Sequence, residues 1–292
     1  MYQQLIDDFI QQEQLPPSYA ADASEIFLPL LNEIEGEIQK LARRPFLLGI
    51  NGAQGTGKST LAKLLSLLLA SNGYRVATLS LDDFYYSRAR RRELAEKIHP
   101  LLGSRGVPGT HDVELALRLL QQLRSAGPAD SIVLPGFDKA SDDLLAADAC
   151  VTVCGPIDVL ILEGWFVGLK PQSEATLTEA INELERNEDK DGRWRRYVND
   201  QLAGNYQTLF GQLDKLLLLQ APGFEQVFEW RSLQEEKLRQ QAASDASGLM
   251  DEPAIRRFIQ HFERLTRHGL LTLPQTADYL ISLDAEHRFH RN

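Results

Sequence analysis

The sequence predicts an α/β protein of three layers: a mainly parallel sheet with helices on both faces, preceded by a helical extension. Two observations carry this. Short apolar runs recur along the chain, and stretches of helical period lie between them. Strands joined through helices need crossover connections, which make neighbouring strands parallel. The composition then allows the layers to close, since 43% hydrophobic against 25% charged residues is an ordinary globular balance.

Residues 1–43 read as the helical extension and 44–292 as the main domain. Leu5, Ile6 and Phe9, then Ile26, Leu30, Ile34, Ile38 and Leu41, fall at helical spacing, with Pro16 and Pro17 separating the two segments. "FLLGI" (46–50) is apolar throughout, as a strand buried on both faces should be. A helix from Lys58 to Ser71 ends at Asn72-Gly73. "RVATLSL" (75–81) is the second strand, and a helix over 112–127 starts at Asp112 and stops at Gly127. Further strands are expected at 131–135, 157–165, 214–222 and 277–284, with helices at 174–187, 193–213 and 224–243. "ASDASGLMDEP" (243–253) reads as a mobile loop, and Phe258, Phe262 and Leu265 as core.

The formal net charge of −10 argues against a nucleic-acid partner, which needs a basic face. The two cysteines, Cys150 and Cys154, lack a nearby histidine cluster and read as inert thiols in a reducing compartment. The N-terminus is acidic and amphipathic, unlike a signal peptide, and "LAKLLSLLLA" is too short to span a bilayer. A cytoplasmic protein without membrane or evident protein partner is expected.

"GAQGTGKST" (52–60) follows the first strand and opens the first long helix of the main domain. It fits G-x-x-x-x-G-K-[ST] in the strand–loop–helix context that pattern requires. Glycines let successive N–H groups turn toward a polyphosphate, and the helix N-terminus adds unsatisfied donors. Gly52, Ala53, Gln54, Gly55, Thr56, Gly57, Lys58, Ser59 and Thr60 are therefore the expected nucleotide-binding residues, with Lys58 on the β- and γ-phosphates and the Ser59 hydroxyl on Mg²⁺. ATP and Mg²⁺ are the implied cofactors, and the fold is of the P-loop NTPase type. The second nucleotide element is "IDVLILEGW", a buried strand ending in Glu163, whose carboxylate would hold Mg²⁺ directly or through water, or else cap the strand end. Asp82 and Asp83 leave the end of strand 75–81; they would lie beside the glycine loop if that strand neighbours the first. A kinase needs such a carboxylate to take the acceptor's proton.

Taken together, "GTGKST", "LSLDDFY" and "VLILEGW" resemble the uridine kinase, phosphoribulokinase and pantothenate kinase group of P-loop kinases. Within that group, "RGVPGTHDVELALRLL" (105–120), "LPGFDKASDD" (134–143), "EGWFVGLKP" (163–171), "LLLLQAPGFEQVFEWRSLQEEKLR" (216–239) and "FIQHFERLTRH" (258–268) resemble the plant-type D-glycerate 3-kinases. The resemblance implies Asp82 as general base, with Asp83 as the alternative, and Glu163 as the acid serving Mg²⁺. It implies an acceptor side lined by "PGTHD" and "FDKA", where Lys139 meets a substrate carboxylate and His111, Asp112 and Asp138 bond its hydroxyls. Asp112 is equally a helix N-cap, His111 a satisfied loop imidazole and Lys139 a solvated charge. The catalytic set is thus Lys58, Asp82, Asp83 and Lys139. Arg231, Lys237 and Arg239 form a candidate basic lid, or one face of a surface helix.

The reaction expected is transfer of a phosphoryl group from ATP to a small hydroxy acid, D-glycerate first. Pantothenate, a nucleoside or a sugar phosphate are rival acceptors, and a regulatory nucleotide-binding protein without kinase activity is the rival of another class.

Overall fold

The computed structural model describes residues 2–41, 44–241 and 252–291, with the side chains of 233–241 and 252–253 outside the description. In chain order the strands are β1 (Phe46–Gly52), β2 (Val76–Ser80), β3 (Ser131–Val133), β4 (Phe137–Asp138), β5 (Asp143–Leu144), β6 (Thr152–Cys154), β7 (Val159–Gly164), β8 (Lys215–Gln220), β9 (Tyr279–Leu283) and β10 (Phe289–His290). The helices are α1 (Tyr2–Gln12), α2 (Tyr19–Asp22), α3 (Leu28–Lys40), α4 (Lys58–Ser71), α5 (Arg88–Lys97), α6 (Val113–Ser125), α7 (Glu183–Glu188), α8 (Arg193–Ala203), α9 (Asn205–Phe210), α10 (Phe224–Gln241) and α11 (Glu252–Thr272).

The central sheet has the order β10-β9-β8-β1-β7-β2. Every pairing is parallel except β10 on β9. The chain runs from β1 to the β2 edge and later crosses back to β8 and β9, so the C-terminal end of β1 is the point where the winding reverses. Ligands bind at that point in open α/β sheets.

Alternation along the strands divides the core in two. Leu48, Ile50, Val159, Ile161, Leu217 and Leu219 face one apolar cluster, which takes in α1, α3 and α4. Leu47, Leu160, Leu162, Leu216 and Leu218 face the other, built with α6, α8 and α9. Two buried faces explain why β1, β7 and β8 read as unbroken apolar runs. Ile6, Phe9, Leu30, Leu31, Ile34 and Ile38 of the N-terminal helices belong to the first cluster, so residues 2–40 share their core with the sheet.

Several elements depart from the sequence expectation. The run at 131–135 does not enter the central sheet: β3 pairs antiparallel with β6 in a separate ribbon. Of the ribbon, Ile132 and Val153 pack against the core while Val133 stays 53% exposed; just past β3, Leu134 is buried in the core and Pro135 stops the run. The helix expected at 174–187 is a single 3₁₀ turn at Glu174–Leu177 followed by α7, which restarts because Asn182 caps it by accepting from the Glu185 amide at 3.0 Å. The helix expected at 193–213 breaks at Gly204 into α8 and α9. Of the loop expected at 243–253, residues 243–251 lie outside the described residues and 252–253 open α11. α5 was not foreseen, because "RARRRELAEK" has almost no apolar stripe; Ser87 starts it by accepting from the Arg90 amide at 3.2 Å. Among the described residues no helix is long and apolar enough to cross a membrane.

Candidate active site

The glycine segment turns between β1 and α4 as the motif requires. Gly55 and Gly57 have φ of +84° and +83°, a region costly for any residue with a Cβ. A Cβ on Gly55 would also lie 2.8 Å from the Cβ of Trp230. The Thr56 hydroxyl is buried and donates to the Ala53 carbonyl at 2.9 Å, which closes the loop on itself. No side chain caps the N-terminus of α4, so its N–H groups remain for an anion. The residues fit a polyphosphate.

Sheet register sets the acids. Glu163 lies directly across from Ile50 of β1 on one side and Ser80 of β2 on the other. Its Oε1 accepts from the Ser59 hydroxyl at 2.9 Å, and the Lys58 ammonium stands 4.0 Å from Oε2. Oε2 is buried with no hydrogen-bond partner. An orphaned carboxylate oxygen beside a serine hydroxyl suits a divalent cation. Among the described residues no group of three or more His, Cys, Asp or Glu side chains gathers to hold a metal. Ser59 and Glu163 together suit Mg²⁺, which takes one or two protein ligands and completes its shell with phosphates and water.

β2 does not adjoin β1, because β7 lies between them. Asp82 and Asp83 therefore emerge one strand further from the loop than direct adjacency would place them. The field of Lys58 still reaches Asp82. The two acids have different surroundings. The Asp82 carboxylate accepts from Lys139 Nζ at 2.6 Å and from the Tyr85 hydroxyl at 2.8 Å. Burial alone would raise its pKa, but Lys139, Lys58 and the Tyr85 bond outweigh burial and hold it below the ordinary value. Asp83 turns back and accepts from the Ser80 amide at 2.8 Å. Burial, against that bond, and the nearby charges of Asp82 and Glu163 push Asp83 up to about 6.

Across from these acids the segment 84–86 is laced to 110–112: the Tyr86 amide donates to the Thr110 carbonyl at 2.9 Å and the Asp112 amide to the Phe84 carbonyl at 2.7 Å. His111 is thereby stacked on Tyr85, ring centroids 4.4 Å apart, and is 2% exposed. Asp112 accepts from the Leu115 amide at 2.8 Å as the N-cap of α6. Asp138 accepts from the Ala140 and Ser141 amides at 2.9 and 3.1 Å and shapes its own turn. The structure thus brings Lys58, Ser59, Glu163, Asp82, Lys139 and His111 to one end of the sheet, and ties Asp83, Asp112 and Asp138 to backbone.

The fission yeast (Schizosaccharomyces pombe) protein described as uncharacterized kinase mug58 is 33% identical over 237 residues, covering 75% of this chain and 79% of that protein. The chloroplastic D-glycerate 3-kinase of Arabidopsis thaliana is 26% identical over 249 residues, covering 83% of this chain. This chain belongs to the D-glycerate 3-kinase family of P-loop kinases. No family model matches it. The kinase spans about half of the Arabidopsis enzyme's length, 49%. Among solved structures, D-glycerate 3-kinase from Cryptococcus neoformans matches with a TM-score of 0.67 and 26% identity over 89% of this chain and 97% of that one. The kinase is ATP-dependent, as its kinase-named relatives and the phosphate loop agree.

Of the candidate lid, Arg231 lies over the Phe258 ring, 5.8 Å from its centroid. Lys237 and Arg239 stand in α10 with side chains outside the described residues. Sequence reasoning missed three residues that shape the kinase's site. Trp230 covers Gly55, and His287 hydrogen-bonds the Gly55 carbonyl from the far end of the chain. No local pattern signals a contact 232 residues apart. Arg91 looks like one charge in a solvated run yet is buried, donating to the carbonyls of Tyr86, Gly103 and Asp142 at 3.1, 3.0 and 2.8 Å. It pins the "FDKASDD" turn against the segment that carries Tyr85.

Proposed function

We propose that this kinase transfers the γ-phosphoryl group of ATP to a hydroxyl of D-glycerate, giving 3-phosphoglycerate. One observation carries the reading: the Lys139 ammonium and the Asp82 carboxylate meet at 2.6 Å on the acceptor side of the phosphate loop. One place then offers a base for a hydroxyl and a cation for a carboxylate, the two groups a small hydroxy acid presents. The D-glycerate 3-kinases among its relatives support the choice of acceptor.

ATP with Mg²⁺, when bound, supplies the phosphoryl group and screens its charge. Ser59 and Glu163 are the residues that would hold the metal, and Lys58 with the loop amides would hold the phosphates. Asp82 takes the proton of the attacking hydroxyl. It is ionised at neutral pH because its pKa lies below the ordinary value, despite burial, through Lys139 and Lys58. Lys139 leaves Asp82 for the acceptor carboxylate, an exchange of one anion for another. Asp112, Asp138 and Asp83 hold the walls.

The test is ADP release with Mg-ATP against D-glycerate, L-glycerate, pantothenate, uridine and ribulose 5-phosphate. Turnover on D-glycerate is expected. Turnover on another acceptor and none on D-glycerate would keep the catalytic residues and overturn the substrate. ATP binding without turnover on any would favour a regulatory protein.

A further inference from the structure

Behind the acceptor side a hydrogen-bond chain runs from Gly109 to His111. The Gly109 amide donates to the Tyr206 hydroxyl oxygen at 3.1 Å, and that oxygen lies 2.8 Å from His111 Nδ1. An amide N–H only donates, so the first bond has one direction. The second has two possible directions, and they differ in what they leave unpaired. If the phenol donates, Nδ1 is bare, the proton sits on Nε2, and Nε2–H alone lacks a partner. If Nδ1 donates, the phenolic proton and the Nε2 lone pair both lack partners among the described residues. Tyr206 and His111 are each 2% exposed, so every orphan there carries a desolvation penalty. The arrangement with one orphan wins. Nε2 is indeed buried without a hydrogen-bond partner.

The imidazolium is excluded as well, since burial pushes the His111 pKa down to about 3, against the field of Asp82. The ring therefore keeps one proton through the neutral range. Its face lies on Tyr85, whose hydroxyl holds Asp82, so the ring belongs to the same wall as the base.

We propose that Tyr206, backed by the Gly109 amide, locks His111 as the Nε2–H tautomer, and that this N–H is a fixed donor to an oxygen of the bound acceptor. Tyr206 is the positioning residue and His111 the specificity residue it serves. His111 is then a neutral donor, complementing the Lys139 cation, and not a second base. A buried donor without a partner selects for an acceptor that presents a carboxylate or hydroxyl oxygen there and disfavours one with a methyl group in its place. The inference rests on the acceptor binding beside Asp82, as proposed above.

The first test is ¹⁵N-histidine NMR of the full chain without substrate, which reads the tautomer whatever the acceptor is. His111 should show Nε2 protonated and Nδ1 bare, in a single form. A ring protonated on Nδ1, or exchanging between tautomers, would overturn the lock. Tyr206→Phe should lose the single tautomer and raise the acceptor KM about tenfold with the ATP KM unchanged. His111→Gln carries an amide N–H near the ε position and should keep a lower acceptor KM than His111→Asn, whose amide sits near δ. Equal or reversed KM values for these two variants would overturn the donor role. A correct tautomer together with absent D-glycerate turnover would instead sink the acceptor assignment and leave the lock standing.

Discussion

Asp83→Asn should make the kinase more stable at pH 7 while costing little kcat. The Asp83 carboxyl is pushed from 3.8 to about 6 by burial, against the Ser80 amide, and by the charges of Asp82 and Glu163. A folded-state pKa above the unfolded one means the folded protein binds the proton more tightly. That contribution is fully present below pH 3.8 and is lost as pH rises through about 6. About two pH units at 1.36 kcal/mol each put the ionised group's penalty at pH 7 at about 3 kcal/mol. Asparagine does not ionise, and its carbonyl oxygen can still accept from the Ser80 amide. A gain of about 1–3 kcal/mol at pH 7, shrinking toward zero near pH 4, is expected from urea unfolding followed by circular dichroism. A gain that does not depend on pH, or a loss at pH 7, would refute the electrostatic account. A fall in kcat of about 100-fold would instead make Asp83 the base.

Three further outcomes are expected. Asp82→Asn should lower kcat by about 10²–10⁴ with ATP affinity by calorimetry retained, as removal of a general base does. Lys139→Met should raise the acceptor KM. It should also move the acid limb of kcat/KM to higher pH, because burial lifts the Asp82 pKa and Lys139 is the largest influence holding it down; a limb that stays in place would separate the pair. Arg264→Met should destabilise by about 3–5 kcal/mol in thermal unfolding, since it strands Glu185, which is 0% exposed and accepts from Arg264 at 2.6 and 2.7 Å.

The phosphate loop was legible because its chemistry is local: eight consecutive residues carry the turn, the donors and the cation. The strands of the central sheet were legible for a related reason, since burial on both faces writes itself as an apolar run. The ribbon at 131–154 was not, because three apolar residues do not say which sheet they join. His287 on Gly55 and Tyr206 on His111 are contacts 232 and 95 residues apart, which only the finished fold creates. One signal was present and unused. Ser80 and Asp83 stand at the spacing of a capping box, and the structure has both of its bonds. That spacing already separates Asp83, held on backbone, from Asp82.

Three carboxylates at one end of a sheet look alike in sequence, yet each meets a different partner. Glu163 shares one oxygen with Ser59 and leaves the other without a hydrogen bond, 4.0 Å from the Lys58 ammonium, which suits a cation. Asp82 is held ionised by an ammonium that an anionic acceptor can draw away, which suits a base. Asp83 is held by an amide and pushed toward protonation by burial and by the charges of the other two, which suits a structural cap. Environments that drive like groups apart are how one residue type fills several roles in a single site. In a chain of net charge −10, this division also explains how an anionic ligand can be held. The loop amides, Lys58 and Lys139 act at contact range, while two of the three nearby acids are already paired with Lys139 or the Ser80 amide.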